Sequence, residues 1–215
     1  MHCLCNPELR SRAITSRLSR QALLRWGAAG GAALLVPGGA SAPASTRAAA
    51  ADTPPDGDLA YLRLLIGAEL LAIDFQTRAL AARRRLRAFA STLSRSLADE
   101  KAHYATLARF LKNAGQPAAA LGDVDFTYPR GSFVSRVSIG RLGWRIETLL
   151  LGAYLGAIES VQTSELRLPI GQIAANEAQH LSALAPAAGK LRIGRAFPTA
   201  LTMSTVSARL DAFEG

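Results

Sequence analysis

Cysteine is almost missing from this 215-residue sequence: Cys3 and Cys5 are the only two, both close to the start. The rest of the chain therefore has neither a disulfide nor a thiolate metal site. Aromatic residues are scarce at 6%, while Ala, Leu and Arg are plentiful, a composition that favours helices over sheet. Beyond His2, histidine occurs only at positions 103 and 180. Acid is scarce where the chain begins. Residues 1–50 carry six Arg against one acidic residue, Glu8, whereas the remainder carries 19 basic and 15 acidic residues. The net charge of +9 is thus largely a property of the first fifty residues. The rest is mildly basic, and no nucleic-acid partner is expected.

Residues 10–42 have the three parts of an export signal. Arg10, Arg12, Arg17, Arg20 and Arg25 form a basic stretch, and Trp26 to Val36 an apolar one too short to span a bilayer. Ala40 to Ala42 is a small-residue cleavage site, but Pro43 disfavours a cut there and moves it to Ala44. "SRQALLR" (Ser19 to Arg25) resembles the twin-arginine export motif, with Gln21 in place of the second Arg. The expected division is a cleaved, twin-arginine-like signal over 1–44, a linker over 45–57 and a folded domain over 58–215. The signal would engage the export machinery, and the mature protein would be periplasmic, envelope-associated or secreted.

Four long helical stretches are expected in the domain. The first spans about Asp58 to Arg87, with Leu62, Leu65, Ile66, Glu69, Ile73 and Gln76 on one stripe. The second spans about Ser91 to Asn113 and stops before Gly115, a suitable residue beyond a helix end. The third covers about Ser132 to Gln162, with Ile139, Leu142, Trp144, Leu151, Tyr154 and Ile158 in its core. The fourth covers about Ser164 to Leu184, and Pro169 either marks its true start or kinks it. A short amphipathic segment, Thr199 to Phe213, follows Pro198 and is expected to pack on the bundle end. Short turns join helices one and two, and three and four, so each pair is antiparallel. The connection of about twenty residues between the pairs is long enough to run the length of a helix. The expected fold is all-α: a four-helix bundle with one long crossover and a short C-terminal helix. The run "RRRLR" (Arg83 to Arg87) reads as a solvated helix end favoured by the helix dipole.

Carboxylates interrupt these apolar helices in a repeated pattern. Glu69 lies in "GAELLAIDF" and Glu147 in "WRIETLLLGAY". Glu100 and His103 lie three apart in the second helix, and Glu177 and His180 three apart in the fourth. The offset is 78 residues from Glu69 to Glu147, and 77 both from Glu100 to Glu177 and from His103 to His180. Residues i and i+3 share a helix face, so each Glu–His pair can point inward together. Four buried carboxylates would be costly to desolvate and would repel one another. Two divalent cations cancel that charge, and two imidazoles complete the donor set. Oxygen and imidazole donors without sulfur suit iron or manganese and also admit zinc.

The domain resembles the ferritin-like superfamily, and within it the exported ferritin-like domain proteins of bacteria, relatives of plant desiccation-related proteins. "GAELLAIDF", "DEKAHYATL", "GAYLGAI", "NEAQH" and "AFPTALTMSTVSARLDAF" carry the resemblance over roughly Asp58 to Phe213. The resemblance implies six metal ligands. Glu69 and His103 would be terminal ligands of one ion, Glu147 and His180 of the other, and Glu100 and Glu177 would bridge. Asp99 and Asn176 would each bond a ligand imidazole across the bundle and hold its tautomer. Tyr104, Gln76 or Tyr154 would fill the place the family gives to a bulky aromatic or Gln near the metals.

The activity expected from this is ferroxidase or oxidase chemistry at two metal ions, iron first, with O₂ or peroxide as the reaction partner. A manganese catalase-like activity differs only in metal and in peroxide turnover. The alternative is a non-enzymatic envelope protein protecting against stress or desiccation, with a structural metal or none. Oligomerisation is compatible with either.

Overall fold

The computed structural model describes residues 54–82, 86 and 89–215. The expected export signal, most of the linker and most of the Arg83–Arg87 run lie outside the described residues.

Among the described residues, five α-helices follow in order: α1 (Asp56–Ala81), α2 (Phe89–Asn113), α3 (Arg136–Ser160), α4 (Ser164–Ala188) and α5 (Met203–Asp211). Helix α1 starts two residues before its expected start, inside the expected linker, with Asp56 and Asp58 complementing the positive end of the helix dipole in its first turn. Helix α3 starts later than its hydrophobic pattern suggests. Ser135 caps it, accepting from the Ser138 amide at 3.0 Å, while Ser138 Oγ accepts from the Ser135 amide at 3.1 Å. Helix α4 runs through Pro169 in its second turn and stops at Gly189, whose φ of 70° suits a residue without a Cβ.

The helices pack as two hairpins, α1 with α2 and α3 with α4, joined chiefly through α1 and α3. Their ends show the topology. Arg63, near the start of α1, donates to Gln116, just past the end of α2, at 2.8 Å. Tyr61 donates to Ser160 at the end of α3 at 2.8 Å. Helix α1 is therefore antiparallel to both, and the connection from α2 to α3 must run the length of the bundle. It does so with a 3₁₀ turn at Leu121–Asp123, a buried Phe126, and Tyr128 donating to Asp74 of α1 at 2.9 Å. The chain's end pairs with this crossover: the Thr127 amide donates to the Phe213 carbonyl at 2.7 Å. The short helix α5 packs on α1 and α3.

Apolar residues at three- and four-residue spacing supply the core, including Leu62, Leu65, Ile66, Ile139, Leu142 and Tyr154, each 1% exposed or less. Trp144 and Ile158, expected in the core, are only partly buried. Trp144 instead lies beside the Lys190 ammonium, 5.2 Å from its ring centroid.

Asp58 ties the chain's two halves together. It is 1% exposed and accepts from the amides of Gln162 at 3.0 Å and Thr163 at 2.8 Å, in the turn between α3 and α4. Burial opposes its ionisation. The hydrogen bonds from the Thr163 side chain and these amides, with the Arg167 charge, outweigh burial and lower its pKa from the ordinary 3.8. A depressed folded-state pKa stabilises the fold above the unfolded value and loses that contribution as pH falls through the folded one. Asp58→Ala should therefore cost about 2–3 kcal/mol at neutral pH, since two amides lose a charged acceptor. Urea melts of both proteins should converge as pH falls below the ordinary 3.8 and through the lowered folded-state value, where that acceptor is protonated in the wild type. A difference that persists unchanged at low pH would assign the loss to packing.

Candidate metal centre

Each of the four long helices carries one fully buried glutamate near its middle. Because α1–α2 and α3–α4 are antiparallel hairpins, the four mid-helix positions come to one level of the bundle. Glu69, Glu100, Glu147 and Glu177 are all 0% exposed, and His103 and His180 lie among them, also buried.

Two overlapping groups result. One oxygen or nitrogen from each of Glu69, Glu100, His103 and Glu177 lies within 4.8 Å of the others. The same holds for Glu100, Glu147, Glu177 and His180. Glu100 and Glu177 belong to both groups, and each histidine to one. His103 Nδ1 is 2.9 Å from Glu177, 3.3 Å from Glu100 and 3.7 Å from Glu69. His180 Nδ1 is 3.0 Å from Glu100, 3.4 Å from Glu177 and 3.8 Å from Glu147. The two rings stand 6.1 Å apart, centroid to centroid.

The carboxylates and imidazoles of the cluster strongly shift one another's ionisation. Burial raises Glu69 and Glu147 well above the ordinary carboxyl range, and the charges of Glu100 and Glu177 add to it. Burial also opposes ionisation of Glu100, but its bonds to His103 and His180 outweigh that and hold it at about 2. Burial disfavours charged imidazoles, yet Glu100, Glu177 and Glu69 push His103 up to about 12. His180 is raised in the same way by Glu100, Glu147 and Glu177. Imidazolium charges thus stand where cations would.

That arrangement leaves donor atoms unspent. Glu69 Oε2, Glu147 Oε2, both Glu177 oxygens and His180 Nδ1 are buried and make no well-oriented hydrogen bond. Such atoms are costly unless something else satisfies them. Two divalent ions, one per group, would satisfy all of them, so the residues present fit a pair of metals.

The chain belongs to the ferritin-like domain family. The sequence model of the ferritin-like domain matches residues 57–190, most of the helical body. No curated protein matches the sequence. Among solved structures, the chain is similar to a hypothetical protein from Methanococcus jannaschii, with a TM-score of 0.50 and 11% identity. The match covers 82% of this chain and 100% of that one, and it speaks to the fold alone.

Around the cluster, the ferritin-like bundle supplies hydrogen bonds that cross between hairpins. Gln76 of α1 donates across to Glu147 at 3.3 Å and, within its own hairpin, to Glu100 at 2.9 Å. Tyr154 of α3, fully buried, donates to Glu69. Burial and the nearby Glu69 charge raise the Tyr154 pKa well above its usual value and keep the proton on the phenol. Gln76 is seven residues beyond Glu69, and Tyr154 is seven residues beyond Glu147. Each hairpin thus sends a donor, two helical turns along, to the lone glutamate of the other. Offset 78 links Gln76 to Tyr154 as it links the two glutamates, a sequence signal that singles out both.

The other partners divide. Asp99 Oδ2 is 3.4 Å from His180 Nε2, on the side of the ring away from the carboxylates, and Asp99 is itself 3.7 Å from Arg95. Asn176, its counterpart in α4, makes no matching bond to His103: its Oδ1 is buried without a hydrogen-bond partner among the described residues. Tyr104 is displaced from the role expected of it. Its hydroxyl donates to the Ala119 carbonyl at 2.9 Å and secures the crossover rather than the carboxylates. Ser96 was not anticipated. It accepts from Gln76 at 2.8 Å and lies 3.4 Å from Glu100, one turn earlier on the same helix face.

Proposed function

We propose that this ferritin-like protein binds two transition-metal ions, iron by preference, and performs ferroxidase- or oxidase-type chemistry with O₂ or peroxide. The observation that carries this reading is the pair of overlapping donor groups, each with an imidazole, sharing Glu100 and Glu177. Glu69 and His103 would hold one ion, Glu147 and His180 the other, and the shared carboxylates would bridge. Bound iron would supply the electrons for reducing O₂ or peroxide.

The chain's own residues set the conditions for that chemistry. Loading requires His103 and His180 to release their protons, and Glu69 and Glu147 to ionise, so uptake is coupled to proton release and strengthens with pH. Asp99 fixes the His180 ring with Nδ1 toward the carboxylates. Gln76 and Ser96 hold Glu100, whereas neither Glu177 oxygen has a well-oriented hydrogen bond. Beyond its contacts with the two imidazoles, Glu177 would therefore be the shared carboxylate less constrained by neighbouring hydrogen bonds. Tyr154 directs its own phenolic proton at Glu69, and the four glutamates are shielded from solvent.

The test is ferrous iron added anaerobically to purified protein, followed by air, with absorbance recorded. The expected result is iron oxidation faster than in buffer, at two irons per chain, lost in Glu100→Ala. Oxidation no faster than buffer, or unchanged in that variant, would overturn the reading. We further propose export through the signal at residues 1–44. Cell fractionation with and without those residues tests it, and retention of both forms in the cytosol would refute it. Among the described residues, no helix is long and apolar enough to cross a membrane.

A further inference from the structure

Among the described residues, the three most exposed large hydrophobic side chains lie in the segment after α4. Leu191, Ile193 and Phe197 are 85%, 89% and 90% exposed. They are interleaved with Lys190, Arg192 and Arg195 in "KLRIGRAF". Water-exposed apolar clusters of this kind mark surfaces that something else covers. The segment is anchored at both ends. The Lys190 amide donates to Ala185 at 2.8 Å, and the Leu201 amide to the Gly152 carbonyl at 2.8 Å. Between these anchors, residues 191–198 make no hydrogen bond or ion pair with other described residues.

The charge around the segment has one sign. No acidic residue occurs between Glu177 and Asp211. Arg141, Trp144 and Arg145 of α3 border the same depression as Gly189 and Lys190. On its other side, Leu191, Arg192 and Arg195 edge an apolar cleft of about 630 Å³ floored by Trp144, Leu181 and Leu201, with Arg209 also at its edge. Gly140 of α3 packs against Ala187 of α4, so this end of α3 lies beside the segment.

We infer that residues 190–198, with Arg141 and Arg145 beside them, form a docking face for an anionic lipid bilayer. Leu191, Ile193 and Phe197 enter the boundary between headgroups and acyl chains, while the flanking cations meet lipid phosphates. Trp144, half-buried among the cations, has the amphipathic ring favoured at that depth. A nucleic acid would use the cations but leave three apolar side chains in water. A second copy docked on the same face would set these cations against themselves.

The test is hydrogen exchange of the full chain with vesicles of phosphatidylglycerol and phosphatidylcholine, and with phosphatidylcholine alone. Exchange is read peptide by peptide, because the basic, apolar stretch from Arg10 to Val36 can also bind lipid. Slowed exchange across 190–198 with the anionic vesicles alone is expected. In sedimentation, Arg192→Gln with Arg195→Gln should weaken the binding that protects this segment by about 25-fold, about fivefold per cation. Ile193→Ser with Phe197→Ser should weaken it at least about tenfold. All four positions are exposed, and the melting temperature should not change. Unchanged exchange at 190–198 would overturn the inference, as would equal protection by neutral vesicles. So would slow exchange there without lipid, which would assign the face to a second copy or to the chain's own first residues.

Discussion

Glu100→Ala should abolish tight metal uptake at both positions at once. Glu100 belongs to both donor groups, and one of its oxygens lies 3.0 Å from His180 Nδ1 while the other lies 3.3 Å from His103 Nδ1. Glu69→Ala and Glu147→Ala each remove a donor from one group only. Calorimetric titration with Mn²⁺ should therefore report two ions for the wild type, one for either lone-glutamate variant, and none in the same concentration range for Glu100→Ala. Losing a partner that merely orients a ligand weakens binding by about 10- to 100-fold, and losing a shared ligand should exceed that. The substitution also strips both imidazoles of a common counter-charge, and breaking a buried pair costs about 3–5 kcal/mol. Glu100→Gln keeps the volume and separates lost ligation from lost packing. A Gln variant that still binds two ions would refute the bridging role proposed for Glu100.

The second large effect concerns a helix with too many glycines for its own good. Helix α3 carries Gly140, Gly143, Gly152 and Gly156, each costing about 1 kcal/mol relative to Ala in a helix interior. Their neighbours account for them. A Cβ on Gly156 would lie 1.9 Å from the Leu201 carbonyl oxygen, and one on Gly152 would lie 2.6 Å from Leu201 Cγ. A Cβ on Gly140 would meet Ala187 at 2.5 Å. The chain thus lays its C-terminal segment, and the end of α4, directly on the backbone of α3. Gly156→Val should drive residues 199–202 off α3, break the Leu201–Gly152 bond and cost about 3 kcal/mol. For a domain of this size that lowers the melting temperature by about 6–12 °C. Gly171 of α4 is the control: its nearest neighbour would stand 4.0 Å away, so Gly171→Ala should be neutral or stabilising. Equal melting of Gly156→Val and wild type would mean that the C-terminal segment does not depend on this contact.

Much of the fold was legible because helices announce themselves locally. Apolar residues at three- and four-residue spacing marked the four long helices, and two short turns against one long connection implied the hairpin pairing. The ends were less legible. A hydrophobic pattern does not say where backbone amides find a cap, so α3 begins at Arg136 behind its Ser135 cap and not at Ser132, and α4 continues past Leu184 to Ala188. Trp144 and Ile158 read as core because size and apolarity do not reveal which side of a helix is covered.

For the site, the sequence by itself determined which residues could meet. An i, i+3 pair shares a face wherever a helix forms, and the offsets of 77 and 78 residues put equivalent groups at equivalent heights in two hairpins. Only the tertiary structure decided how the hairpins face each other. That contact sends Tyr154 to Glu69 and Gln76 to Glu147, takes Tyr104 away to Ala119, and gives His180 an Asp99 while Asn176 bonds nothing through its oxygen. The reason is physical: spacing along one helix follows from backbone geometry, whereas a hydrogen bond between helices depends on their separation and rotation, which the packing of the whole core sets.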